Sequence, residues 1–312
     1  MQLYNTLSAE EREKLIDEAG LDRITLSFYR YAKIEDPKRF RDELFVKWNS
    51  LDVLGRIYVA KEGINAQLSL PAVSLEEFRS FLDSYPFLKD IRLNIAVEQD
   101  NKSFLKLTIK VREKIVSDGL DDDTFDPSNY GIHLNADEFN QLMEEPDAIV
   151  IDMRNYYESE IGHFTNAVTP EVKTFRESLP IIYDQLATHK EDKKILMYCT
   201  GGIRCEKASA YFKHRGFKQV YQLEGGIINY AHQIKSLGLA SKFVGKNFVF
   251  DNRLGERITE DVIAHCHQCG KPCDTHTNCE NDACHKLFIQ CDDCAEEMKG
   301  CCCSSCKEAL SV

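Results

Sequence analysis

Hydrophobic and polar positions divide the first third of the chain into short elements of alternating type. ITLSFYRY (24–31), VLGRIYVA (53–60) and GINAQLSL (63–70) read as strands, with DPKRFRDELFVKWNSL (36–51) as a helix between the first two. SLEEFRSFLDSY (74–85) reads as a second helix, opened by Ser74 as N-cap with Glu77 at the capping-box spacing. Strand-like runs follow at IRLNIAV (91–97) and FLKLTIKV (104–111). This β-α-β-β-α-β order predicts a ferredoxin-like sandwich. SDGLDDDTFDPSN (117–129), an acidic stretch rich in turn-forming residues, then reads as a linker or as a solvated loop inside one domain.

From about residue 130 short apolar strands alternate with helices, which implies a parallel sheet. AIVID (148–152) and KILMYC (194–199) are continuous apolar runs, as expected of strands covered on both faces. Helices are expected at 136–145, 180–190 and 204–215, the last closed by Gly216, and VYQLEGG (220–226) forms a final strand and turn. KNFVFDNRLGERI (246–258) leads into a cysteine-rich tail. The expected fold class is α/β. A ferredoxin-like α+β domain (1–116) and an acidic linker (117–129) precede a parallel-sheet domain (130–242), and a linker with a small cysteine-rich, metal-binding segment (243–312) ends the chain.

Composition narrows the function. At 312 residues, 43% hydrophobic and 29% charged, the chain has room for two or three globular domains and no apolar run long enough to span a membrane. The opening MQLYNTLSAEEREKLIDEAG has no apolar h-region, so a cytoplasmic location is expected. A formal net charge of −12 argues against binding nucleic acid by bulk charge and leaves room for a local basic surface. Thirteen cysteines without an export signal point to metal binding or catalysis rather than disulfides. Eleven of them lie after residue 265, and the other two are Cys199 and Cys205.

Cys199 ends an apolar strand, and a helix begins a few residues later, the position at which open α/β sheets bind ligands. Thr200, Gly201, Gly202 and Ile203 form the intervening loop. Its glycines let backbone N–H groups turn inward as an anion cradle, to which the helix N-terminus adds partial positive charge. A sulfur held there is expected to be a thiolate at neutral pH, suited to nucleophilic attack or to carrying a persulfide. The spacing to Arg204, which would complete the cradle, is Cys-x4-Arg. Cysteine-dependent phosphatases use Cys-x5-Arg, and the shorter loop resembles that of rhodanese sulfurtransferases. D152-x-R154-x-x-x-E158-x-x-x-G162-H163 and E224-G-G226 carry the same resemblance, with Asp152, Arg154 and Glu158 expected to form a buried structural ion network. Cys205, one turn into the helix, is either a resolving thiol for Cys199 or a small core residue. Around it Lys207, Lys213 and Arg215 are candidates for contact with RNA.

The tail holds three Cys-x-x-Cys knuckles, Cys266/Cys269, Cys291/Cys294 and Cys303/Cys306, with Cys273, Cys279 and Cys284 between them. Each knuckle turns two thiolates toward one tetrahedral centre, and so short a segment with few large apolar side chains needs metal to fold. One or two structural zinc ions are expected. An iron–sulfur cluster is the sharper alternative and redox-active free thiols are the third, and the ligand pairing cannot be read from order alone.

The α/β N-terminal region, the C199-T-G-G-I-R-C-E-K-A-S209 loop and the H265-C-H-Q-C-G-K-P-C273 opening of the tail occur together in one family. The chain resembles the bacterial rhodanese-domain tRNA uridine hydroxylases over nearly its full length, and E62-G-I-N65 looks like a further feature of that family. The resemblance implies oxygen-dependent formation of 5-hydroxyuridine at the wobble uridine, with molecular oxygen as substrate and a persulfide-forming cysteine at Cys199. It implies the tRNA anticodon loop and an unnamed electron donor as partners, with neither membrane nor DNA. No flavin or nicotinamide motif is present. Two other functions fit the residues: a plain sulfurtransferase, which the loop supports equally well, and a non-catalytic zinc-containing RNA-binding protein.

Overall fold

The computed structural model describes residues 7–120 and 126–310. A helix α1 (Ala9–Ala19), absent from the expected elements, opens the chain; Ser8 and Glu11 close a capping box and Gly20 ends it in the left-handed conformation. Then come β1 (Arg23–Tyr31), α2 (Pro37–Ser50), β2 (Leu54–Ala60), β3 (Gly63–Pro71), α3 (Leu75–Asp83), β4 (Asn94–Ile95) and β5 (Leu107–Val111). The strands form one sheet in the order β4-β1-β3-β2-β5. Its first four strands are the ferredoxin-like arrangement, and β5 adds parallel to β2. Leu26, Phe28, Leu44, Trp48 and Phe78 fill the single core between this sheet and α2 and α3. Ser74 does not cap α3: it closes a short 3-10 turn with helical dihedrals and makes no side-chain cap bond.

The second unit comprises β6 (Ile132–Leu134), α4 (Ala136–Leu142), β7 (Ala148–Asp152), α5 (Tyr156–Glu160), β8 (Gly162–Phe164), α6 (Phe175–Leu186), β9 (Lys194–Tyr198), α7 (Ile203–His214), β10 (Gln219–Leu223) and α8 (Gly226–Leu237). β6, β10, β9 and β7 pair in that order, all parallel. Side chains of β9 alternate between two cores, with Ile195, Met197 and Cys199 on the α6/α7 side and Leu196 and Tyr198 on the α4/α8 side. Both faces are therefore covered. α6 begins five residues before Pro180, the residue expected to open it, because Phe175 and Leu179 are buried in the same core.

β11 (Phe243–Asn247) pairs with β8 and with β12 (Glu256–Arg257). The tail follows as a small hairpin, β13 (His276–Asn278) and β14 (Leu287–Ile289), with α9 (Asp292–Met298) and α10 (Ser304–Ala309). It is joined to the second unit through Ile161, Phe248, Ala264 and Ile289. Asp274 adds ion pairs to Lys246 at 2.9 Å and Arg257 at 2.7 Å. Among the described residues no helix is long and apolar enough to cross a membrane.

The first two units are locked together by an ionic triad centred on the buried Lys207. Lys207 of α7 lies 2.8 Å from Glu62, in the β2–β3 turn, and 2.7 Å from Asp118. Asp118, in the stretch expected to be a solvated acidic linker, has a fully buried side chain and also accepts from Lys114 at 2.8 Å. Residues 121–125 of that stretch lie outside the described residues. Removing the ammonium would leave the buried Asp118 carboxylate facing the half-buried Glu62, a change that costs about 3–5 kcal/mol when a buried pair is broken. Lys207→Met is expected to lower unfolding stability by about that amount, read as a shifted urea midpoint; an unchanged midpoint would show that the triad contributes nothing net.

Candidate active site

Cys199 follows β9 at the carboxyl end of the parallel sheet, and its Sγ accepts a hydrogen bond from the Gly202 N–H at 3.2 Å. The tight turn requires glycine at 202: its φ is +101°, and a Cβ there would stand 2.9 Å from the Tyr29 hydroxyl. α7 starts at Ile203, so its N-terminus faces the same sulfur. From below, α8 holds the loop. Ile227 and Ile228 donate their N–H groups to the carbonyls of Cys199 and Thr200 at 3.0 and 3.2 Å. Gly226 lies so close that a Cβ would come within 2.5 Å of the Cys199 carbonyl oxygen, which accounts for the Glu224-Gly225-Gly226 motif.

Cys199 is only 1% exposed. Burial pushes its thiol up. A hydrogen bond from the Cys205 thiol, the charge of Arg204 and the N–H groups of Cys205 and Arg204 outweigh that and bring it down to about 6. Cys205 is pushed well up, by burial first and then by its bond to Cys199, so it stays a neutral donor to a thiolate.

Arg204 commits its guanidinium mainly to Glu158 and makes no hydrogen bond from it to the Cys199 sulfur. Its two terminal nitrogens donate to Glu158 at 2.6 and 2.8 Å, and Glu158 is fully buried. The Thr200 hydroxyl sits 3.4 Å from both partners. The Arg204 guanidinium therefore acts on Cys199 through its charge, while the N–H groups of Gly202, Arg204 and Cys205 and the Cys205 thiol are the direct donors to the sulfur. Glu158 accordingly belongs to the loop rather than to the ion network expected for it. Asp152 and Arg154 form that network without it, bonded at 2.6 Å with the Tyr198 hydroxyl donating to Asp152 at 2.7 Å.

The N-terminal sheet covers the loop with the face opposite its core. The Tyr31 hydroxyl donates to the Ile203 carbonyl and the Asn94 amide to the Gly201 carbonyl, each at 3.3 Å, while the Tyr29 hydroxyl reaches Glu206 at 3.4 Å. Between the two units runs a cleft of about 1760 Å³, lined by Cys199, Thr200 and Arg204 on one side and Ser27, Asn65 and Gln67 on the other. Tyr29, Tyr31 and Asn94 belong to no motif. The available signal was β1 itself, whose alternation puts two tyrosines on a face that a lone sandwich would leave in water.

Lys207, expected to meet RNA, is buried in the triad instead. Lys213 donates to Asn129 and to the Tyr130 carbonyl, each at 2.8 Å, and Arg215 stacks on Tyr183 and Tyr211; neither lines the cleft.

In the tail the thiols gather in two groups able to hold metal: Cys266, Cys269, Cys291 and Cys294, and Cys279, Cys284, Cys302 and Cys306. Cys302, not Cys303, completes the second group; Cys303 turns to the Ser305 hydroxyl at 3.1 Å, and Cys273 belongs to neither. The expected 303/306 knuckle is thus a 302/306 pair, with Cys302 just before α10 and Cys306 on it.

Three family matches cover most of the chain: the UPF0176 acylphosphatase like domain at residues 23–115, the Rhodanese-like domain at 135–233 and the Rhodanase C-terminal at 244–307. A protein of Yersinia pestis (strain Pestoides F) named tRNA uridine(34) hydroxylase is 56% identical over 311 residues, 99% of this chain and 87% of that one. The protein of the same name from Yersinia enterocolitica is 57% identical over 99% of this chain and 89% of that one. With the cysteine loop, its covering sheet and the two thiol groups all in one chain of this length, the protein belongs to the tRNA uridine(34) hydroxylase family.

Proposed function

We propose that this protein hydroxylates uridine 34 of tRNA at C5, with molecular oxygen as co-substrate and Cys199 as nucleophile. The observation that carries this reading is an acidified thiol lining a cleft of about 1760 Å³, space for a base turned out of its strand. A wobble base lies in a single-stranded loop, so turning it out costs little stacking. In the step assigned to Cys199, Sγ bonds to C6 and the C5–C6 π pair moves onto C5 and O4 as an enolate. C5 then attacks an oxygen electrophile. Dioxygen and two electrons from a separate donor supply one hydroxyl to C5 and one water. Loss of the C5 proton re-forms the double bond and expels the thiolate. Cys205, hydrogen-bonded to Cys199, is the candidate to resolve a persulfide there, forming a disulfide with release of hydrosulfide. The reaction belongs in the cytoplasm, with tRNA and a reductant.

Two zinc ions fit the tail. Four thiolates at about 2.3 Å from a tetrahedral centre stand about 3.8 Å apart, and the Sγ separations of Cys269–Cys291, Cys284–Cys302 and Cys302–Cys306 are 3.6, 3.7 and 3.8 Å. A multi-iron cluster would hold its ligands farther apart. The N–H groups of Cys291 and Cys302 donate to the sulfurs of Cys266 and Cys279, each at 3.4 Å, partly neutralising thiolate charge. The role assigned to the metal is to hold the tail together.

Three outcomes are expected. Purified protein incubated with unmodified tRNA should form 5-hydroxyuridine in air and with an electron donor, and Cys199→Ala should lower the rate more than about 100-fold; product at the wild-type rate from the variant would remove Cys199 from the chemistry. Alkylation of Cys199 by iodoacetamide, followed on its tryptic peptide, should rise with pH through a midpoint near 6 and level off by about pH 7.5, because the depressed pKa leaves the thiolate dominant above it. Metal analysis should find two zinc per chain, with one lost in Cys266→Ser and in Cys302→Ser and both kept in Cys273→Ser and Cys303→Ser.

A further inference from the structure

The cleft has a polarity that the catalytic loop does not explain. The strand register places Asn94, Ser27, Gln67 and Arg56 side by side on β4, β1, β3 and β2, and all four line the cleft. At about 4.8 Å per strand this row runs about 14 Å from the Cys199 loop to the outer edge. Its inner three members are neutral hydrogen-bonding groups. The Asn94 Oδ1 is buried without a partner while its Nδ2 is committed to the Gly201 carbonyl, which leaves an acceptor beside the loop in need of a donor. Gln67 has no side-chain hydrogen bond among the described residues. A second row, Tyr29, Asn65 and Tyr58, lies beside the first.

At the outer end the chemistry changes sign. Arg56, Lys61 and Arg112 are exposed, line the cleft and form no salt bridge or side-chain hydrogen bond to an acid among the described residues, although Lys61 lies within the field of Glu35; Arg112 stands 5.8 Å over the Tyr58 ring. Lys173 and Arg176 are exposed on the opposite wall. Of the acids lining the cleft, Asp118, Asp251 and Glu256 are consumed by ion pairs to Lys207 and Arg253. Asp36 caps α2, leaving Glu113 as the one acid at the rim without a bond among the described residues. On a chain of net charge −12 this is a local excess of cations at the mouth of a neutral, amide-lined slot.

We propose that this open face of the N-terminal sheet is the RNA-holding wall of the enzyme. Arg56, Lys61 and Arg112 take the phosphates of the anticodon loop. The neutral row passes the extruded base inward, where its imide N–H meets the orphan acceptor on Asn94. Phosphate contacts position the strand and the amide row meets the base edge. The proposal rests on the reading of the chain as a tRNA uridine hydroxylase, and the test separates the two.

A fluorescein-labelled anticodon stem-loop RNA with uridine at the wobble position is titrated against the full chain at several salt concentrations, and 5-hydroxyuridine is measured on the same RNA in air with reductant. R56Q/K61Q/R112Q is expected to bind at least about tenfold more weakly, with the log–log salt slope reduced by about 2, three contacts at about 0.7 each on single-stranded RNA. Gln67→Leu is expected to keep wild-type affinity and slope but form product at least about tenfold more slowly. Equal thermal melts of the variants exclude unfolding as the cause. Wild-type binding and slope in the triple variant overturn the proposal, as does a loss that appears in K213Q/R215Q instead, or the absence of binding by the wild type. If the triple variant behaves as expected while wild type yields no 5-hydroxyuridine, the RNA wall stands and the reaction assigned above falls.

Discussion

A thiolate buried at 1% exposure is the constraint around which the molecule is arranged. Taking a charge out of water is expensive, and the compensation must be local and fixed. Backbone N–H groups at the start of α7 supply part of it, which forces the Gly201–Gly202 turn. Arg204 supplies long-range charge, but a buried guanidinium needs its own counterion. Glu158 fills that place from α5, and the two form a pair at 2.6 Å that leaves the thiolate as the site's unbalanced negative group. Cys205 completes the set as a neutral donor. Each partner in turn sets a demand on the next, so the five-residue spacing from Cys199 to Arg204 is meaningful only with a carboxylate waiting on another helix.

The same helix fastens the N-terminal domain. Residues Arg204 to Phe212 of α7 are all buried, a run that includes Glu206, Lys207 and Ser209. Buried polar groups require partners, and each of these finds one outside the helix. Glu206 meets Tyr29, His133 and Gln222; Lys207 meets Glu62 and Asp118; Ser209 accepts from the Gly131 N–H. The E206-K-A-S209 and E62-G-I-N65 segments are therefore two halves of one interface. A rhodanese-like domain working alone could leave that side of α7 in water. Here the sheet that covers it is also the second wall of the cleft, so docking of the N-terminal domain and formation of the cleft are one geometric problem.

What the chain reveals by itself follows how local the physics is. The Cys-x4-Arg loop, the doubly buried strands and the sandwich order depend on near neighbours, and each was legible. Ser8 and Ser74 show the limit even there. Both precede a Glu at capping spacing, yet only Ser8 has the extended backbone that aims its hydroxyl at the helix; Ser74 is already inside a helical turn. Lys207 looked like a surface cation because helix periodicity cannot foresee two carboxylates arriving from residues 62 and 118. Cys302 was passed over for Cys303 because adjacent cysteines differ only in direction, which β13, β14 and α9 decide by where they bring Cys279 and Cys284. Tyr29, Tyr31 and Asn94 carried no signal except an alternation with an unexpected occupant on its outer face.

The acidity of the chain bears on substrate choice. Phosphates are attracted to cations without regard to sequence, and an evenly basic enzyme would be occupied by any RNA. A net charge of −12 repels polyanions from most of the surface, so an RNA gains only where cations outnumber the acids beside them. In the cleft that region is confined to the rim, and the slot behind it is neutral and walled on both sides. A duplex can touch the rim but cannot send a base along the slot without unpairing it. A loop with an already unstacked base can satisfy the rim and the slot together. Discrimination then comes from repulsion at the wrong places as much as from contact at the right one.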